Sequence, residues 1–132
     1  MSVPVGTWNV VTDLNNSILN IINVDGQGNV TGTIQASDIS NIIGTWNITG
    51  TWNAATNQLN FSYVISITIG ILREWRNVSF QGYLFQAGKP LFESAAGPVT
   101  AAWDMLAGTW GSVPPWPEQT NNGWVARSQN QL

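Results

Sequence analysis

Cysteine and histidine are absent from this chain, and lysine and arginine together number only four. Without cysteine there are no disulfides and no thiolate nucleophiles, and without histidine there is no imidazole for acid–base chemistry or zinc binding. Four cations cannot form the phosphate-neutralising patch that a nucleic acid or an anionic membrane surface requires. We therefore expect no nucleic-acid partner, no membrane partner, no metal site and no cofactor.

Helical patterns and long hydrophobic runs are also scarce. The apolar residues show no sustained i, i+3, i+4, i+7 spacing. The longest apolar-leaning run, Val64 to Leu72, is much shorter than a membrane span and is interrupted by Ser66, Thr68 and Gly70. Residues Met1 to Pro4 lack the basic flank and apolar core of a signal peptide. We expect a soluble protein, whose compartment the composition leaves open.

The chain does contain short segments rich in Val, Ile, Thr and aromatic residues, separated by clusters of Gly, Asn, Asp and Pro. This pattern is typical of an all-β protein, and 132 residues fit a single domain, 1–132, with a real core. The pattern predicts eight strands, at Gly6–Thr12, Ser17–Val24, Asn29–Gln35, Ile42–Trp52, Leu59–Ile69, Trp75–Gln86, Val99–Trp110 and Gly123–Gln129.

The segments between these strands contain turn-forming residues. Residues Asp25 to Gly28 predict a tight hairpin, and Ala54 to Asn57 predict another turn. Gly70 to Glu74 is interpreted as a longer link, and the three prolines within Ser112 to Pro117 exclude a strand there. Eight meandering strands can close on themselves, which removes exposed edges. The sequence therefore predicts an eight-stranded up-and-down antiparallel β-barrel.

One short motif, Gly-Thr-Trp, occurs four times, beginning at Gly6, Gly44, Gly50 and Gly108. The spacings of 38, 6 and 58 residues exclude a solenoid repeat. One interpretation is structural: each Gly lets a strand bend, each Trp packs inward and each Thr faces solvent. The alternative is that some of these tryptophans line a binding surface.

Candidate catalytic groups are few. Of the seven carboxylates, only Glu74 and Asp104 are placed as a pair that could face each other across a sugar. A Ser/His/Asp triad is impossible without histidine. We expect no catalytic residues and no enzyme activity. A weaker alternative is a cyclase or isomerase that works by orienting its substrate inside the barrel.

Tryptophan is the strongest anomaly of the composition, with eight copies in 132 residues. Several lie within predicted strands and can belong to the core, among them Trp8, Trp46, Trp52, Trp75 and Trp103. Trp116 differs, because it stands between Pro115 and Pro117 in a predicted loop. An indole held in this way is expected to act as a lid or an interface anchor.

The order of these segments resembles the avidin/streptavidin family from Gly6 to about Ser128. The resemblance is carried by Gly6–Trp8, Asn29–Thr33, Leu59–Ser62, Ser79–Tyr83, Ala101–Leu106 and Gly123–Val125. It implies an avidin- or lipocalin-like barrel with a ligand inside and a dimeric or tetrameric assembly. It also implies that Trp103 is a buried ligand contact and that Trp116 is a lid supplied by a neighbouring subunit.

The polar residues that hold biotin in that family are largely replaced here. Val10 is aligned with the family's Asn, Ile34 with its Tyr and Val125 with its Asp. Ile65 is aligned with the Trp of the family's strand five, and Val78 with the Thr of its strand six. Ser17 or Asn16 stands at the family's Ser. A polar head group among such residues would leave its hydrogen-bonding groups unpaired, at about 1–3 kcal/mol each. These replacements argue against tight biotin binding.

Two kinds of binding function remain. The first is a non-catalytic binder of a small apolar or aromatic ligand, with Trp116 closing an interior lined by Val10, Ile34, Ile65, Val78, Phe80, Trp103 and Val125. The alternative is a lectin, in which Trp46 with Asn47 and Trp52 with Asn53 present aromatic and amide groups to a glycan. A homo-oligomer is expected in the first case, because the low charge weakens repulsion between subunits.

Overall fold

The computed structural model describes residues 4–37, 43–69, 71–88, 90–100, 102–115 and 119–131. These residues form ten strands and no helix, so none of them belongs to a helix able to cross a membrane. The strands are β1 Gly6–Val11, β2 Asn16–Val24, β3 Asn29–Ser37, β4 Ile43–Asn53, β5 Gln58–Ile69, β6 Leu72–Phe85, β7 Pro90–Ser94, β8 Gly97–Thr100, β9 Trp103–Val113 and β10 Gly123–Gln131.

Eight of the strands close into an antiparallel barrel with the order β1-β2-β3-β4-β5-β6-β9-β10 and back to β1. The prediction of an eight-stranded up-and-down barrel is therefore confirmed. The strands β7 and β8 form a separate two-stranded hairpin between β6 and β9. The predicted strand Val99–Trp110 was wrong at its start, because it joined the end of this hairpin to β9.

The connection between β5 and β6 is shorter than the sequence indicated. Ile69 pairs directly with Leu72, so the predicted link Gly70 to Glu74 belongs mostly to β6. The other predicted turns are present: Asp25 Oδ1 accepts hydrogen bonds from the backbone N–H of Gln27 and Asn29 at 2.9 and 2.8 Å.

The barrel has two distinct ends. At the lower end, β1 begins, β10 ends, and the turns at 25–28 and 54–57 lie alongside. At the upper end, residues 12–15 connect β1 to β2, β9 ends and β10 begins. Pro4 is buried, and its carbonyl oxygen accepts a 3.0 Å hydrogen bond from the Trp8 indole Nε1–H. This contact anchors the segment that enters β1 against the interior.

The inward direction that the structural interpretation gave to the tryptophans of the Gly-Thr-Trp motif is confirmed. Trp8, Trp52 and Trp110 are 2–7% exposed and belong to the core, and Trp46 is half-buried against it. The threonines of the last three copies are exposed. Because side chains alternate along a strand, glycine and tryptophan of each copy share the inner face. At Gly44 this matters directly, since an added Cβ would lie 2.6 Å from the Trp46 ring.

Inward-facing glycines also let neighbouring strands approach closely. A Cβ at Gly32, Gly50 or Gly108 would overlap a backbone carbonyl of the next strand. Gly82 and Gly108 pair with each other, and Gly108 pairs with Trp124. The Trp124 indole extends over this glycine pair, so that its Nε1–H donates a 3.0 Å hydrogen bond to the carbonyl oxygen of Gln81 on β6. Such glycine kinks are what allow a small barrel to bend closed.

Candidate functional site

A cluster of aromatic rings occupies the inner wall across five adjacent strands. Trp46, Tyr63, Phe80 and Trp110, on β4, β5, β6 and β9, stack successively with centroid distances of 6.1, 6.4 and 5.8 Å. Phe61 stacks on Phe80 at 4.7 Å with an angle of 7° between the rings. The Trp124 ring packs edge-on against both phenylalanines. We call these six residues the aromatic cluster.

Five of the predicted site residues complete this part of the interior. Val10, Ile34, Ile65, Val78 and Phe80 are all at most 3% exposed and belong to the same core. Their strands present them to the upper half of the barrel, next to the aromatic cluster. The sequence therefore predicted their location inside the barrel, while their role in binding stays a prediction.

Polar groups enter the interior at its upper end. Ser17 is buried, and its Oγ–H donates to Asn15 Oδ1 at 3.1 Å, whereas Asn16 is exposed. Of the two residues aligned with the family's serine, only Ser17 faces inward. Arg76 lies half-buried one inward position above Val78 on β6. This end of the interior thus combines a hydroxyl and a cation with aromatic walls.

Two buried indole N–H groups have no hydrogen-bond partner among the described residues. They are Nε1 of Trp110, in the aromatic cluster, and Nε1 of Trp52, near the lower end. Both residues are 7% exposed. An unpaired buried donor costs about 1–3 kcal/mol, so each such group requires an explanation. Trp110 is in the better position for a ligand, because it stands beside the polar upper end.

The hydroxyl of Tyr63 contributes a neutral polar group to the aromatic cluster. Burial raises the pKa of this hydroxyl well above its ordinary value of 10.0. The phenol is therefore protonated at every pH at which the protein would normally be studied, and it is available as a hydrogen-bond donor.

Two residues that were predicted to line the interior face outward instead. Val125 is 46% exposed, because the alternation of β10 places its neighbours Trp124 and Ala126 inside. Trp103 has the outward parity of β9, and its ring stacks against the Arg127 guanidinium at 4.5 Å. Neither lines the interior as expected. Trp116, the expected lid, lies outside the described residues.

Two tryptophans of the aromatic cluster, Trp110 and Trp124, were not singled out as site residues by the sequence reasoning. Trp110 and Trp124 fill the place expected of Trp103, and Trp75, expected in the core, is 56% exposed. The Gly-Thr-Trp motif held the necessary information. If Trp110 points inward like the other copies, then Leu106 does too, and Trp103 must point outward.

The upper end is braced by a carboxylate. Asp13 Oδ2, in the turn between β1 and β2, accepts hydrogen bonds from the Thr120 backbone N–H, the Thr120 hydroxyl and the Asn121 backbone N–H at 2.5, 3.1 and 3.1 Å. Burial acts to raise the pKa of Asp13, but these hydrogen bonds outweigh it and hold the pKa below its ordinary value. The charged carboxylate therefore fastens the segment before β10 to the first turn.

A second concave region lies outside the interior, at the lower end. This cleft of about 570 Å³ lies between the turn at 25–28 and the end of β4, and Trp52 and Asn53 form part of its wall. Its carboxylate, Asp25, already accepts hydrogen bonds from the side chain and backbone of Asn29, which lower its pKa. The Asp25 carboxylate of this cleft is therefore engaged in shaping the turn, whereas the Trp52 indole N–H in its wall has no partner among the described residues.

The geometry does not bring the predicted carboxylate pair together. Glu74 stands near the upper end of β6, and Asp104 near the lower end of β9, about 12 residues or ~40 Å apart along the strands. Asp104 Oδ1 accepts a 2.7 Å hydrogen bond from the Ala87 backbone N–H. Of the two pairs named for the lectin, Trp46 faces inward while Asn47 is exposed, so that ring and amide lie on opposite faces, whereas Trp52 and Asn53 both line the lower cleft.

No known protein family, no curated protein and no solved structure matches this chain at a significant level. The resemblance to the avidin/streptavidin family therefore stays a prediction. Within the described residues, no group of three or more His, Cys, Asp or Glu side chains could hold a metal ion.

Proposed function

We propose that this protein binds a small, flat, apolar or aromatic ligand in the upper half of the barrel and does not transform it. The aromatic cluster is the observation that carries the proposal. Rings on four consecutive strands form one aromatic wall in which each ring stacks on the next, and the wall around them is aliphatic. Flat rings gain both buried area and stacking energy on such a surface.

The polar groups at the upper end define the second property of the ligand. The unpaired Nε1–H of Trp110 is a donor, and Arg76 carries a positive charge. A ligand with a hydrogen-bond acceptor at one edge would satisfy the indole N–H, which otherwise costs free energy in the folded protein. The preferred ligand is therefore a planar ring system with a carbonyl, ether or acid group directed to the upper end.

Biotin fits this site poorly, because its ureido head requires several donors and acceptors together. At the positions aligned with the family's polar contacts, Val10, Ile34, Ile65 and Val78 are buried side chains without hydrogen-bonding groups. The proposal accordingly combines an avidin-like architecture with a different ligand class.

The test is a titration with a panel of planar aromatic probes, half bearing an acceptor and half the corresponding hydrocarbons, followed by intrinsic tryptophan fluorescence. We expect the fluorescence of the interior indoles to be quenched or shifted to the blue by members of the panel. Replacement of Trp110 by Phe keeps a ring but removes the N–H. It should weaken the acceptor-bearing probes about 2- to 10-fold, the equivalent of one hydrogen bond, and leave the hydrocarbons unchanged.

The matched control is Trp52→Phe. It removes the other unpaired indole N–H, which lies near the opposite end of the barrel, and should leave all affinities unchanged. If no member of the panel alters the fluorescence, or if native mass spectrometry finds only biotin or sugars bound, the proposal is wrong. Equal losses in both variants would place the ligand elsewhere.

A further inference from the structure

The cleft at the lower end of the barrel is a second concave site, which the proposed interior ligand does not use. Its two walls are the turn at 25–28, between β2 and β3, and the end of β4 from Thr51 onward. Its volume of about 570 Å³ lies within the roughly 300–1,000 Å³ of small-ligand pockets. Because the cleft lies at the end of the barrel opposite Arg76 and Ser17, a molecule bound there is independent of the one inside.

The two walls of the lower cleft are fastened to each other by backbone contacts. The Trp52 N–H donates a 2.7 Å hydrogen bond to the carbonyl oxygen of Gly28, and the Gly28 N–H donates one of 3.1 Å to the carbonyl oxygen of Asp25. Gly28 has a φ of +84°, and a Cβ there would overlap the carbonyl oxygen of Trp52. Only glycine permits both this turn and this approach. The cleft is therefore formed before a ligand arrives, and binding requires little ordering of the chain.

The charge of the lower cleft argues against an ionic ligand. The described residues that line it include one carboxylate, Asp25, and no Lys or Arg. Asp25 Oδ1 accepts hydrogen bonds from the backbone N–H of Gln27 and Asn29, and Oδ2 accepts one of 2.9 Å from the Asn29 side-chain amide. This carboxylate repels an anion, and a cation would have to compete with three N–H donors for it. The site therefore favours an uncharged ligand.

Three neutral polar groups along the end of β4 remain for such a ligand. The Trp52 indole N–H has no partner among the described residues, and this side chain is only 7% exposed. Asn53 Oδ1 accepts a 2.9 Å hydrogen bond from the Ala55 N–H, which fixes the amide and leaves its NH₂ group as a donor. The exposed Thr51 hydroxyl can donate or accept. Donors at this spacing suit a ligand that carries several hydroxyl groups.

We propose that the lower cleft binds a neutral saccharide unit, whose hydroxyl oxygens accept hydrogen bonds from the Trp52 indole N–H and the Asn53 amide while another hydroxyl pairs with Thr51. A saccharide combines uncharged hydroxyls with C–H groups that can lie against an indole. An extended peptide would need a free strand edge for pairing, and the closed barrel has none. The proposal retains one of the two Trp–Asn pairs of the lectin alternative, and it gives the protein two independent ligands.

The test is a titration of the ¹⁵N-labelled protein with the neutral methyl glycosides of glucose, mannose, galactose and N-acetylglucosamine, followed by ¹H–¹⁵N NMR. The chain has eight indole N–H groups, and the signal lost in Trp52→Phe identifies Trp52. We expect at least one glycoside to shift the Trp52 signal and the amide signals of Gln27 and Gly28 in a saturable manner. The Trp110 indole signal should stay in place. Glucuronic acid and glucosamine, which are charged, should bind more weakly.

Threonine variants guard against a folding defect at Trp52. Thr51→Val keeps the β-branched shape of an exposed strand residue and removes only the hydroxyl, so it should weaken the glycoside about 2- to 10-fold. Thr49→Val is the same change at the next exposed position of β4, outside the cleft, and it should leave the affinity unchanged. Trp52→Phe, followed through the amides of Gln27 and Gly28, should weaken binding by a factor similar to that of Thr51→Val.

Three results would overturn the saccharide proposal. They are the absence of a shift with every glycoside, a shift at the Trp110 indole instead of the Trp52 indole, and equal affinities for Thr51→Val and Thr49→Val. The planar aromatic probes test the interior separately, because Trp52→Phe should leave their affinities unchanged while it weakens the glycoside.

Discussion

A single methyl group at Gly108 tests the way this barrel bends. Gly108 faces inward in the middle of β9, and a Cβ there would overlap the carbonyl oxygen of Gln81 and lie 2.5 Å from the Cα of Gly82. Non-bonded carbon atoms are comfortable at about 3.5–4.0 Å. Both obstacles are backbone atoms of β6, so Gly108→Ala must push the two strands apart by about 1 Å.

The cost of this separation has two parts. Overpacking of this kind costs about 1–3 kcal/mol, and each interstrand hydrogen bond that is stretched or lost costs about 0.5–1.5 kcal/mol. With one or two bonds affected, we expect Gly108→Ala to lower the free energy of unfolding by about 2–5 kcal/mol. For a typical urea m-value of about 1–3 kcal/mol/M, the unfolding midpoint falls by at least ~0.7 M.

Gly111 provides the control on the same strand. A Cβ at Gly111 meets nothing within 4 Å. Gly111→Ala should therefore leave the stability unchanged or raise it by about 0.4–1 kcal/mol, because alanine lowers the conformational entropy of the unfolded chain. Urea unfolding followed by tryptophan fluorescence measures both variants. Equal midpoints for Gly108→Ala and the unmodified protein would refute the argument that glycine sets the spacing between β6 and β9.

Two further predictions concern the two ends of the barrel. Because hydrogen bonds lower the pKa of Asp13 in the folded state, its stabilising effect is present above about pH 4 and disappears as the pH falls through the folded pKa. Asp13→Asn should therefore cost up to ~1 kcal/mol at neutral pH, and the difference in urea midpoint should vanish in acid. At the lower end, Trp8→Phe leaves the carbonyl of Pro4 without its buried donor, and should lower the free energy of unfolding by about 1–3 kcal/mol in the same assay.

The fold was predictable because its information is local. Alternation in the segment Ile18 to Asn23, and glycine at the turn after Val24, are sufficient to place a strand and its hairpin. The hairpin β7–β8 was missed because its strands have five and four residues, and the second contains Pro98. Short strands of this kind do not produce an alternation long enough to distinguish from a loop.

The inward or outward direction of individual side chains was less predictable. In β9 the inner set contains Asp104 and Gly108 next to Leu106, while the outer set contains Trp103 and Met105. Hydrophobicity alone assigns the wrong face here, because two apolar side chains of β9 face outward: Trp103 stacks against the Arg127 guanidinium, and Met105 pairs with Arg127 on the same face. Only the Gly-Thr-Trp motif gives the direction of the β9 side chains. Its tryptophan, Trp110, faces inward, and the alternation of side chains along the strand then assigns the others.

The position of Trp124 also has a consequence for how this sequence can change over evolutionary time. A Cβ at Gly82 would lie 2.7 Å from the Trp124 ring, although β6 and β10 are not neighbouring strands. A Cβ at 82 would also lie 2.6 Å from the backbone carbonyl oxygen of Ala107, so a smaller residue at 124 alone does not make room for it. At Gly44, by contrast, the three nearest atoms all belong to the Trp46 ring. Among descendants of this gene, Gly82 should therefore be retained, whereas Gly44 and Trp46 should be replaced together, so that their joint variation would record the packing of the barrel interior.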